Sequence, residues 1–184
     1  SIFLMKKILI PIFILSFISA IKAQTLYDIN TIQDIKIEFA QSNWDYILDT
    51  AAASEDEYVM AKYVIINGVV FDSVGVKYKG NSTYKPNQAK NPLHIELDTW
   101  KNQDYEGYTD IKLSNVAFDP SFIREPLSYT ILRQYMDAPQ SNYANVSING
   151  SLMGLYVSSE SISKKFVKKY FGNNNNAFFK CNPS

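Results

Sequence analysis

Hydrophobic and polar positions alternate over several stretches of this chain. Ile35, Ile37 and Phe39 are interleaved with Lys36 and Glu38, the two-residue period of a strand with one buried face. Ser42 and Asn43 then offer an N-cap for a helix with Trp44, Ile47 and Leu48 on one face. Tyr58–Ile66 and Val69–Tyr78 are β-rich runs joined by Asn67-Gly68. Tyr143–Ile148 and Leu152–Ser158 repeat that arrangement around Asn149-Gly150. Asn-Gly is the strongest short hairpin signal, because both central positions of a type I′ turn need positive φ. Leu93, Ile95 and Leu97 predict a further strand, and Ile111 and Leu113 a short one.

The helical period appears twice more. Asp119-Pro120 predicts a helix start, with Asp capping and Pro at the first helical position. Ile123, Leu127 and Ile131 follow at a spacing of four, one helical face. Pro126 either kinks the first turns or marks where the helix proper begins, with Glu125 before it. Ser161–Phe171 predicts an amphipathic helix with Ile162, Phe166 and Tyr170 inside. Lys164, Lys165, Lys168 and Lys169 ride its outer face, and Gly172 ends it. Ala177 to Lys180 predict the start of another strand. Two strand-rich blocks around one long packed helix give an α+β expectation with an antiparallel sheet.

The first residues follow a different pattern. Met5 is followed by Lys6 and Lys7, then an apolar run from Ile8 to Ile21, and a small residue at Ala23. This is the layout of a removable secretion signal. Crossing a bilayer takes about 20 apolar residues, and Lys22 falls where a span would still be apolar. Residues 1–23 are therefore expected to be upstream residues plus signal, and residues 24–184 one domain. The destination is periplasmic, cell-surface or extracellular, without stable membrane insertion after cleavage. The chain stops just after a strand begins, so the domain is expected to be incomplete at its C-terminal end.

Composition narrows the picture. Basic and acidic residues balance at 18 each, which argues against a general nucleic-acid binder. Cys181 is the single cysteine, so neither an internal disulfide nor a cysteine metal framework is possible. An exported domain of this kind must rest on its hydrophobic core. The single histidine, His94, and the lack of G-x-S-x-G, H-E-x-x-H and P-loop patterns leave no generic hydrolase signature. The suggestive stretch is Lys79-Gly80-Asn81-Ser82-Thr83, where a strand ends in glycine before a small polar loop with a lysine at its mouth. Such a loop can turn N–H groups, hydroxyls and a cation toward phosphate oxygens; an ordinary polar turn is the alternative.

Five blocks in order carry a resemblance. Val74 to Thr83 resembles the G-V-R-Y-K-G-N-S-S segment of the CotH kinase family, named for a bacterial spore-coat protein. Lys90-Asn91-Pro92-Leu93 with Ile95 to Asp98, and Asp119 to Glu125 with Leu127-Ser128-Tyr129, resemble its next two blocks. Val146 with Ile148-Asn149-Gly150 and Gly154-Leu155-Tyr156 is similar to the fourth, and Glu160 to Gly172 to the last. The similarity runs from about Leu26 to Lys180.

That resemblance implies the N-terminal lobe of a protein-kinase-like fold, truncated at its C-terminus. It implies an exported bacterial transferase that moves phosphate from ATP, with Mg²⁺, to Ser or Thr of a protein partner. The loop of Lys79, Gly80, Asn81, Ser82 and Thr83 would cover the phosphates. The strand around Leu93–Leu97 would stand where kinases keep their phosphate-contacting lysine. Glu125 would pair with a lysine as in the kinase αC helix, and the second hairpin would lead to a hinge near Ser158–Glu160 beside the adenine. Many relatives carry Lys or Arg where this chain has His94, so either Lys77, Lys79 or Lys90 serves instead or binding is weak. Catalytic and Mg²⁺-binding carboxylates are expected beyond residue 184, so no catalytic residue is assigned and the fragment alone is expected to be inactive. The alternative is a non-catalytic kinase-like scaffold or adhesion module at the cell surface.

Overall fold

The computed structural model describes residues 25–54, 57–88, 90–175 and 177–179. The residues expected to form a secretion signal, and Cys181, lie outside the described residues. The elements are β1 (Ile32–Glu38), α1 (Trp44–Ser54), β2 (Val59–Ile66), β3 (Val69–Tyr78), β4 (Leu93–Glu96), β5 (Asp110–Ser114), α2 (Arg124–Leu132), β6 (Ser141–Ile148), β7 (Ser151–Ser159) and α3 (Lys164–Phe171).

Both Asn-Gly sites form the expected hairpins. φ is 50° and 88° at Asn67 and Gly68, and 46° and 76° at Asn149 and Gly150. The asparagines also tie both tips to β1. Asn67 Oδ1 accepts from Asp34 N–H at 2.9 Å, and Asn149 Oδ1 accepts from Phe39 N–H at 2.7 Å.

The strands close into a barrel in the order β1-β2-β3-β4-β5-β7-β6. Every neighbouring pair is antiparallel except the closing one, where β1 runs parallel to β6 with Ile35 opposite Val146. Ile35, Ile37, Val76, Ile95, Leu113 and Val146 are fully buried and fill the interior, as small barrels require.

This overturns the expected fold class. The described residues form a closed seven-stranded mixed β-barrel with three short helices, not an open antiparallel sheet carrying one long packed helix in the manner of a kinase N-lobe. The physical reason is the β1–β6 seam. Alternation in β1 shows that one face is buried, but not which strands flank it.

The central helix also differs. α2 has nine residues, begins after Pro120 rather than at it, and buries only Pro126. Ile123, Leu127 and Ile131, expected to face the core, are 51, 51 and 48% exposed. Asp119 still acts at the helix start, accepting from Arg124 N–H at 2.9 Å. Residues 177–179 carry no strand. α3 ends at Gly172 with φ 80°, as expected, and buries Phe166. Among the described residues, no helix is long and apolar enough to cross a membrane.

Candidate functional site

The outer face of the barrel along β3, β4 and β5 carries the side chains that alternation directs away from the core. Lys77 pairs with His94 and His94 with Lys112, while Lys112 pairs with Ser159 on β7. Two residues beyond Lys77, Lys79 donates its N–H to Pro92 O at 2.9 Å, extending the β3–β4 ladder. α2 packs against β6 and β7 at the edge of this face. Between them lies a cavity of about 370 Å³, lined by Lys79, Lys112, Ser114, Glu125, Ser159 and Glu160, with Tyr129, Ile162, Phe178 and Phe179 as its apolar wall.

The loop from Lys79 to Lys90 is fixed from two sides. On the α1 side, Asp45 accepts from the Tyr78 hydroxyl, and Asp49 accepts from Tyr84 Oη at 2.8 Å and Asn87 N–H at 2.9 Å. From within, the fully buried Asn91 accepts from Lys85 N–H at 2.9 Å and donates to Lys85 O at 2.8 Å. Asn115 Nδ2 donates to Thr83 O and Lys90 O, both at 3.1 Å. Gly80 has φ +91°, and a Cβ there would stand 2.7 Å from Thr83 Oγ1, so the bend needs glycine.

Lys79 and Glu125 both line the cavity. Burial pushes the Lys79 ammonium below the ordinary lysine range; the charge of Glu125 opposes this and that of Lys112 reinforces it. Lys79 is recorded in no ion pair among the described residues. Glu125 is held by a hydroxyl instead, with Ser159 Oγ donating to its Oε1 at 2.7 Å.

The other predicted residues are more dispersed. Gly80 and Asn81 line an adjoining hollow that shares Lys79. Thr83 lines another that shares Ser114 and Glu125, and Ser82 is exposed. Glu160 borders the cavity, but its oxygens are occupied: Lys169 Nζ donates at 2.8 Å, Gln140 N–H at 3.1 Å and Tyr170 Oη at 3.3 Å. Lys90 turns toward the barrel, its ammonium 5.2 Å from the Phe122 ring centre and 5.3 Å from that of Tyr156. His94 stands one strand from the cavity, with Nδ1 3.0 Å from the Tyr58 hydroxyl and Nε2 3.4 Å from Asp110 Oδ2. Burial pushes the Asp110 carboxyl up, but hydrogen bonds from His94 and Ser161 outweigh it and hold it low.

The lysine that shares the cavity with Glu125 and Lys79 is therefore Lys112 on β5, not a residue of β4. Lys112 and Ser114 escape the sequence reading, whereas Ser159 falls within the expected hinge at residues 158–160. The signal available for Lys112 is its place between inward-facing Ile111 and Leu113. Two cations, two hydroxyls and two carboxylates, one of them the already bonded Glu160, surround this partly desolvated cavity.

A family profile described as CotH kinase protein matches residues 76–184, from the end of β3 onward. No curated protein matches the chain.

Proposed function

The chain belongs to the CotH kinase protein family, and from that premise we propose that its Lys79–Lys112–Glu125 cavity receives the phosphates of ATP. The parent activity is transfer of the terminal phosphoryl group to Ser or Thr of a protein partner, in an exported protein whose leader runs from Met5 to Ala23. The observation that carries this reading is the convergence of Lys79 and Lys112 on one cavity of about 370 Å³, with Ser114 and Ser159 beside them. Phosphoryl transfer needs such cations and donors on the β and γ phosphates. The apolar wall of Tyr129, Ile162 and Phe178 offers a surface for the nucleobase.

Among the described residues no three His, Cys, Asp or Glu side chains converge as metal ligands. The described part of the chain is thus assigned to holding the nucleotide. ATP added with magnesium should raise the melting temperature of the chain, and Lys79→Ala and Lys112→Ala should each weaken binding about tenfold or more. Unchanged affinity in both variants would end the proposal.

A second reading, an assembly module without catalysis, is favoured by the exposed apolar residues of α2, Leu127 and Ile131 foremost. A folded chain without any nucleotide affinity would support it.

A further inference from the structure

Glu125 is held from behind by two buried hydroxyls. Ser159 Oγ donates to Glu125 Oε1 at 2.7 Å and lies 2.8 Å from Ser141 Oγ. Each hydroxyl has one proton. That of Ser159 points to Glu125, so the single Ser141 proton is shared between Ser159 Oγ and the Ser158 carbonyl, 3.1 Å away. Ser141 and Ser159 are cross-strand partners on β6 and β7 and are 3 and 7% exposed. This polar chain acts on a helix with little apolar anchorage, since Pro126 is the one buried residue of α2. The other charged groups of the cavity are Lys79, Lys112 and Glu160, and Glu160 is already bonded to Lys169.

We propose that Ser159, with Ser141 behind it, is a positioning residue: it holds the Glu125 carboxylate against β7 and so keeps the Lys79 ammonium open to an anionic ligand. Only the identity of that ligand rests on the phosphate-binding reading. Without the Ser159 hydroxyl the carboxylate loses a charge-assisted hydrogen bond and turns to a lysine in the same cavity. An ion pair with Lys79 then competes directly with the ligand.

The test uses the full chain and two measurements: the titration of the Lys79 amine by NMR and calorimetric binding of inorganic pyrophosphate. Ser159→Ala should raise the pH at which Lys79 titrates by about one unit and weaken pyrophosphate binding about tenfold. Ser159→Thr, which keeps the hydroxyl, should behave as the natural chain. Combining Ser159→Ala with Glu125→Gln should cancel the upward shift of Lys79. Ser141→Ala should move Lys79 in the same direction by less, and it serves if Ser159→Ala fails to fold. A Lys79 titration unmoved in a folded Ser159→Ala chain, or equally moved in Ser159→Thr, overturns the proposal. If pyrophosphate fails to bind the natural chain while Lys79 still shifts in Ser159→Ala, the phosphate reading fails and the positioning role stands.

Discussion

Burial holds the Lys79 ammonium below the ordinary lysine range in spite of Glu125, and this fixes the sign of two pH dependences. The folded pKa lies below the unfolded one, so between them the unfolded chain binds more protons. The contribution of this group to stability therefore rises with pH through that window and is unfavourable below it. Anion affinity runs the other way, falling as pH climbs through the lowered pKa. Pyrophosphate titrated against the chain from about pH 7 to about pH 10 should lose affinity before an ordinary lysine, at about 10.4, would discharge. Lys79→Arg, charged throughout, should remove that loss. A second residue prediction concerns Lys169, whose ammonium lies 2.8 Å from Glu160, a side chain only 4% exposed. Lys169→Met should destabilise by about 2–3 kcal/mol in urea melts, less than for a fully enclosed pair because the ammonium is partly exposed. Lys164→Met, at an exposed position, should cost less than about 0.5 kcal/mol.

Among the elements, α2 and the Lys79–Lys90 loop differ in what holds them. The loop is fastened by Asp49, Asn91 and Asn115, whereas α2 leaves Ile123, Leu127 and Ile131 about half exposed. Replacing Leu127 and Ile131 together by Gln should change stability by under about 1 kcal/mol, measurable in urea melts, because little apolar area leaves water on folding. The spacing of four that predicts this helix is correct about the period and silent about the partner. Periodicity reports that a face is apolar, not that the rest of the domain covers it. The hairpins are legible for the opposite reason: the positive φ at Asn67 and Gly68 is a local demand, satisfied by the two residues that show it. Lys79 and Glu125 can be found because each belongs to a block of adjacent residues. Ser159 and Lys112 reach the cavity through cross-strand register, which no short stretch of sequence records.

The whole molecule is defined by closure. Ile37 on β1 stands opposite Val64 on β2 and Ile148 on β6, and all three are fully buried. Ile37→Ala should therefore destabilise by about 2–5 kcal/mol, in contrast to the α2 substitutions, with the difference read from urea midpoints at constant slope. An α+β expectation misses this architecture because the same alternating pattern serves an open sheet and a barrel. What distinguishes them is a parallel contact between Ile35 and Val146.

That contact makes the segment carrying β1 more than a first strand. A protease cutting between β1 and α1, followed by loss of the strand, would leave β2 and β6 each with a bare row of amide and carbonyl groups. Bare rows of this kind recruit other chains. The trimmed protein should then stick to its own copies, because β1 is what covers those two rows.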